Sequence, residues 1–158
     1  MSCFIRDIRK ELRTPNLPFV VGGMGVGGEK GNPAFREAMA APGKTDEFKA
    51  SVVNVYTHKY WPVEIDVLNE KIEPVKKKYH GLKRDLKKKN LERDAHKKEE
   101  AKLNEAMNAE IAKMLNADEK FLLENGISNR GFHYHGSAKF MGRIGKAFAE
   151  ALVNIKKK

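Results

Sequence analysis

Apolar residues recur at helical spacing near the start of the chain, where Phe4, Ile5, Ile8 and Leu12 fall on one stripe before Thr14-Pro15-Asn16 ends the pattern. Leu17–Val21 is then continuously apolar, as a buried parallel strand would be. Six glycines between Gly22 and Gly31 follow, giving a loop with unusual backbone freedom. Asn32-Pro33 predicts a helix through about Ala41, with proline in its first turn and Pro42-Gly43-Lys44 as its stop. Ser51–Thr57 is rich in β-branched residues and predicts a second strand. Helix, strand, helix, strand in this order implies parallel strands joined by a crossover helix. Two strands make a poor sheet, so the pattern predicts further strands supplied by a missing N-terminal segment or by a partner chain.

From Val63 to Asn116 the periodicity is almost wholly helical, with breaks expected at Pro74 and Gly81. Leu82, Leu86, Leu103, Met107, Ile111, Met114 and Leu115 supply a broken apolar stripe. Between Lys87 and Lys102 only Leu91, Ala95 and Ala101 are apolar, which predicts a segment projecting into solvent. Asp118–Glu124 reads as a further short helix closed by Asn125-Gly126. No internal repeat is visible.

Composition narrows the classes. The 158 residues are 41% hydrophobic and 33% charged, enough for one domain with a modest core. No apolar run approaches the roughly 20 residues of a membrane-spanning helix, and the opening residues lack signal-peptide architecture. Cys3 is the only cysteine, so no intramolecular disulfide forms and the redox compartment, like the localisation, stays open. The net charge is +10, and Glu70–Lys102 carries 13 Lys/Arg against 7 Asp/Glu. Lys156-Lys157-Lys158 adds three more cations at the tail. A lysine-rich helix of this kind is an ordinary way to keep a protrusion soluble, and also a possible surface for polyanions.

Three motifs could carry chemistry. Gly23-Met24-Gly25-Val26-Gly27-Gly28 matches the dinucleotide-binding spacing, but Glu29–Pro33 delays the next helix beyond reach of a pyrophosphate, so a flexible rim loop is expected. His133 and His135 could face one metal ion, yet no third ligand stands at a recognisable spacing, and no metal or cofactor is assigned. His133, on a glycine-flanked loop just before the last helix, is well placed as a catalytic base. Ser137 is most simply the N-cap of that helix, and neither Ser51 nor Ser128 resembles an activated nucleophile.

The run Ser128–Lys139 with Ile144–Ala151, and the opening Phe4–Leu12 followed by Pro15–Gly22, resemble the sialate O-acetylesterase-like domain. This is a carbohydrate-esterase branch of the SGNH hydrolase superfamily. The resemblance covers about residues 3–57 and 117–153, leaving 63–116 as a charged helical insertion. It implies a partial three-layer α/β/α sandwich, the C-terminal portion of an esterase domain spanning 1–158. It further implies hydrolysis of O-acetyl esters on an acetylated carbohydrate, with His133 as general base. The aspartate that often stands three residues earlier is replaced by Arg130, leaving Asn129 as a weak orienting group. The nucleophile and oxyanion blocks would precede Met1, so the chain is expected to be inactive alone. The competing expectation is a basic module using Lys76–Lys102 on anionic polymers or a partner protein, without sequence-specific nucleic-acid recognition. An oligomerisation arm built from the same helices is disfavoured by the broken stripe.

Overall fold

The computed structural model describes residues 1–156, so the last two lysines of the predicted basic tail lie outside the described residues. The chain divides into two compact units, one formed by Met1–Pro62 with Ser128–Lys158 and the other by Val63–Ile127.

In the first unit, α1 (Ser2–Glu11) leads into β1 (Phe19–Gly23), α2 (Pro33–Ala40) and β2 (Val52–Tyr56), and α6 (Ala138–Lys156) closes the chain. The turn after α1 needs Arg13 in the left-handed region, at φ 51°. Asn32 caps α2 by accepting the Phe35 N–H at 3.0 Å, which leaves Pro33 its favoured first position. The strands pair in parallel, Phe19 opposite Val52 through Gly23 opposite Tyr56. Side chains alternate across such a ribbon. Val21 and Val52 therefore share a face with Ile5 of α1 and Phe48, and Phe19 and Met39 pack against that cluster. The opposite face carries Gly22, whose missing side chain makes room for the Phe148 ring of α6.

Helices thus lie on both faces, but the sheet has two strands only among the described residues. A ribbon of two five-residue strands in a mainly helical chain is not the central sheet of a three-layer α/β/α sandwich, and the predicted SGNH-type fold class is corrected on this point.

The second unit is helical throughout. Here α3 (Val63–Lys87) and α4 (Arg93–Met114) form a hairpin, followed by α5 (Ala117–Asn125). Pairings Lys78–Glu110 and Lys83–Asn104 run in opposite senses along the chain, so the hairpin is antiparallel, and Lys71 reaches Glu119 of α5. Leu68, Ile72, Val75 and Tyr79 form the α3 stripe that meets Ile111 and Leu115. This stripe is why Pro74 does not break the helix as predicted. The proline removes one backbone donor, while Ile72 and Val75 on either side are buried. Gly81 is likewise helical, with open space where its side chain would stand. The reversal comes instead at 88–92, where Asn90 adopts φ 48°. Asn116 and Glu119 form a reciprocal capping box at the start of α5, both bonds at 2.9 Å. No helix among the described residues is long and apolar enough to cross a membrane.

Candidate functional site

Helix α1 buries one side and exposes cations on another. Arg6, Arg9 and Lys10 lie on one face of α1 at i, i+3 and i+4, and Arg13 follows in the turn just beyond its end. All four line a groove of about 890 Å³ in the first unit, together with Pro15, Pro18, Ala50 and Ser51. Glu47 is its one acidic lining residue. Arg6 and Arg9 are each held by partners. Arg6 makes a bidentate pair with Glu47 at 2.7 and 2.6 Å, which holds that carboxyl below the usual carboxylate range. Arg9 donates to the Leu17 carbonyl at 3.1 and 2.8 Å and to Ser51 Oγ at 2.7 Å. Both guanidinium groups also lie over the Phe48 ring, at 5.6 and 5.3 Å. Lys10 and Arg13 are exposed at the rim. The groove is therefore a cationic wall with a rigid floor and two adjustable outer charges.

The distribution of charge supports this unit over the one that the lysine run points to. The first unit holds 16 Lys/Arg against 7 Asp/Glu, the second 15 against 14. The lysines of the hairpin are balanced by acids on facing or neighbouring turns. Lys78 meets Glu110 at 2.7 Å, Lys88 meets Asp85 at 2.9 Å and Lys102 meets Glu99 at 2.6 Å. The span Lys76–Lys102 is also not one helix but the end of α3, a turn and the start of α4.

The loop that carries the predicted site residues is ordered by its backbone. Ser128 and Asn129 both donate N–H to the His135 carbonyl, at 2.9 and 3.0 Å, and His135 N–H donates to Arg130 O at 3.1 Å. Tyr134 and His135 take left-handed conformations, φ 54° and 57°, which costs non-glycine residues free energy. Tyr134 stacks on Phe140 with centroids 5.0 Å apart, and His135 is buried against Trp61, also at 5.0 Å. His133 is exposed and packs edge-on against Phe132 at 4.4 Å. Asn129 is exposed, and its Oδ1 accepts the Arg130 N–H at 2.8 Å. The loop thus sends His133 outward and His135 inward. Ser137 Oγ faces the Phe140 N–H at 3.4 Å, Ser128 Oγ donates to Gly136 O at 3.0 Å, and Ser51 belongs to the Arg9 network. Among the described residues no cluster of three or more His, Cys, Asp or Glu side chains is arranged for a metal ion.

The glycine-rich loop is more fixed than a flexible rim. Gly27 and Gly28 have φ of 79° and 55°, and Gly28 lies so close to Trp61 that a side chain would meet the indole at 2.9 Å. Arg36 is buried beneath the loop and its Nη2 faces the Glu29 carbonyl at 3.4 Å. His58 stands beside it, its Nε2 3.4 Å from Glu29, and burial is the first cause lowering its pKa, with Arg36 adding to the effect.

No family model, curated protein or solved structure matches the chain. Together with the two-stranded ribbon, this overturns the resemblance to the sialate O-acetylesterase domain, and with it the reading as part of a carbohydrate acetylesterase or other serine hydrolase. The cations along α1 are not among the residues that the sequence motifs single out, although the Arg6, Arg9, Lys10 spacing is visible in the sequence.

Proposed function

We propose that the protein is a polyanion-binding module that seats phosphate or sulfate groups of an anionic chain in the groove along α1. The observation that carries this reading is the convergence of Arg6, Arg9, Lys10 and Arg13 on one cavity with Glu47 as its single acid. The pinned Arg6 and Arg9 need little reordering to accept a ligand, whereas Lys10 and Arg13 supply flexible outer contacts. Recognition is of charge rather than of sequence.

Fluorescence anisotropy with a labelled single-stranded oligothymidylate of about 20 nucleotides tests this, with heparin as competitor. Three to four contacts on a single strand give a log–log salt slope of about −2 to −3, hence a loss of roughly 20- to 50-fold between 50 and 200 mM salt. The double variant Lys10→Glu/Arg13→Glu should lower affinity at 50 mM salt by at least about tenfold and flatten the slope by about 1.4. Binding that keeps its full slope in that variant, or no binding at tens of micromolar protein in 50 mM salt, overturns the reading.

A further inference from the structure

The ribbon leaves β2 with a free edge. Phe19 N–H donates to Ser51 O at 2.8 Å, and the alternation of a parallel ladder then turns the backbone groups of Val53 and Val55 toward β1. Those of Val52, Asn54 and Tyr56 point the other way. Val52 N–H is taken up locally by the Phe48 carbonyl at 2.8 Å, and Gly43 packs against the Val52 carbonyl. Asn54 N–H and C=O and the Tyr56 N–H therefore face outward, the Tyr56 carbonyl being taken by the 3-10 turn Thr57–Tyr60 that it caps, and among the described residues no third strand pairs with this edge.

Beside this edge runs a second groove, of about 670 Å³, between β2 and α6. It extends along the strand from Ala50 to Tyr60 and along the helix from Ala147 to Ile155. Its depth follows from sequence, because Ala147 and Ala151, one turn apart, put methyl groups where larger residues would fill the space. The five residues of β2 span about 16 Å, the length of an extended segment of the same size. Val53 and Val55, on the α6 face of the ribbon, and the backbone of Asn54 line the groove.

Charge decides what kind of chain fits. Lys49 and Lys59 line the groove, Arg143 and Lys146 line its continuation past Tyr60, and Glu150 is the acid common to both. Two copies of this edge would bring like charges together, as edge lysines do in guarding against self-pairing. We infer that the free edge of β2 and the adjoining α6 groove take an acidic, extended peptide segment of a partner protein as a third strand. Main-chain hydrogen bonds to Asn54 and Tyr56 supply affinity, while the cations select acidic side chains on the segment. This groove adjoins the α1 groove at Ala50 and Ile155 but is lined by cations of its own, so the proposal does not rest on polyanion binding along α1.

The test uses the full chain and a labelled, capped hexapeptide alternating valine and glutamate, with two control peptides. One replaces glutamate by lysine, and the other carries N-methyl groups on alternate amides. Binding of the acidic peptide with a Kd below about 1 mM, weakened at least tenfold in both controls, is the expected result. Hydrogen exchange should slow at the Asn54 and Tyr56 amides on binding. The variant Ala151→Trp, which fills the groove, should weaken binding by a similar factor, while Lys10→Glu/Arg13→Glu leaves it within about twofold. Absence of binding at 1 mM, equal affinity for the lysine or N-methylated peptide, or loss through the α1 variant with Ala151→Trp unaffected each overturns the proposal. The N-methylated control keeps the test decisive should Ala151→Trp fold poorly.

Discussion

Replacing Phe48 by alanine removes the centre of the first unit. The side chain is 1% exposed and packs with Ile5, Val21 and Val52, joining α1 to both strands. Phe-to-Ala changes at such positions cost about 3–5 kcal/mol. This compares with roughly 5–14 kcal/mol for the whole of a unit of 93 residues. Phe48→Ala should therefore remove between about a fifth and all of its stability. Trp61, the only tryptophan, lies in this unit and is 7% exposed, so urea titration followed by its fluorescence reports the transition. Phe48→Leu, which keeps most of the volume but not the ring, should cost about 1–3 kcal/mol. Because Arg6 and Arg9 rest on this ring, Phe48→Ala should also weaken polyanion binding at temperatures where the unit remains folded. A change below about 1 kcal/mol for Phe48→Ala would refute the claim that this ring organises the core.

Opposite signs are expected for two glycines in the same unit. Gly31→Ala drives a methyl group into the Val26 carbonyl and should cost about 1–3 kcal/mol, whereas Gly145→Ala, with nothing near it in α6, should gain about 0.5–1 kcal/mol; equal effects in the urea midpoint would sink the packing argument. Burial lowers the His58 pKa, so the folded state binds fewer protons than the unfolded one and this stabilisation is present above about pH 6.5. The Trp61 transition should thus move to lower urea as pH falls from 7 toward 5, and His58→Gln should flatten that dependence; an unchanged slope in the variant would show that another group is responsible. Asn116→Ala removes half of the capping box and should cost about 1 kcal/mol, read as roughly fivefold faster hydrogen exchange at the Glu119 and Lys120 amides; unaltered exchange would mean the cap is dispensable.

Local chemistry made much of the chain legible. The stop after α1, the Asn32-Pro33 start of α2, both strands and their parallel pairing follow from short-range patterns, and all are present. Other features depended on residues distant in sequence. Pro74 stays helical because Ile72, Val75 and Tyr79 are packed against Ile111 and Leu115, about 40 residues away along the chain. The glycine loop is held by Trp61 and by the buried Arg36, neither of which the G-x-G-x-x-G spacing reveals. Histidines two residues apart part company because the backbone between them turns left-handed.

Charge illustrates the division most clearly. The sequence by itself determined the net +10, the lysine run and the spacing of the α1 cations. Only the tertiary structure decided which of those charges are balanced. Lys78 finds Glu110 across 32 residues of chain, while Arg6, Arg9, Lys10 and Arg13 gather around a single glutamate from 41 residues beyond Arg6. Coulomb interactions depend on distance in space, and a linear count of lysines measures distance along the chain.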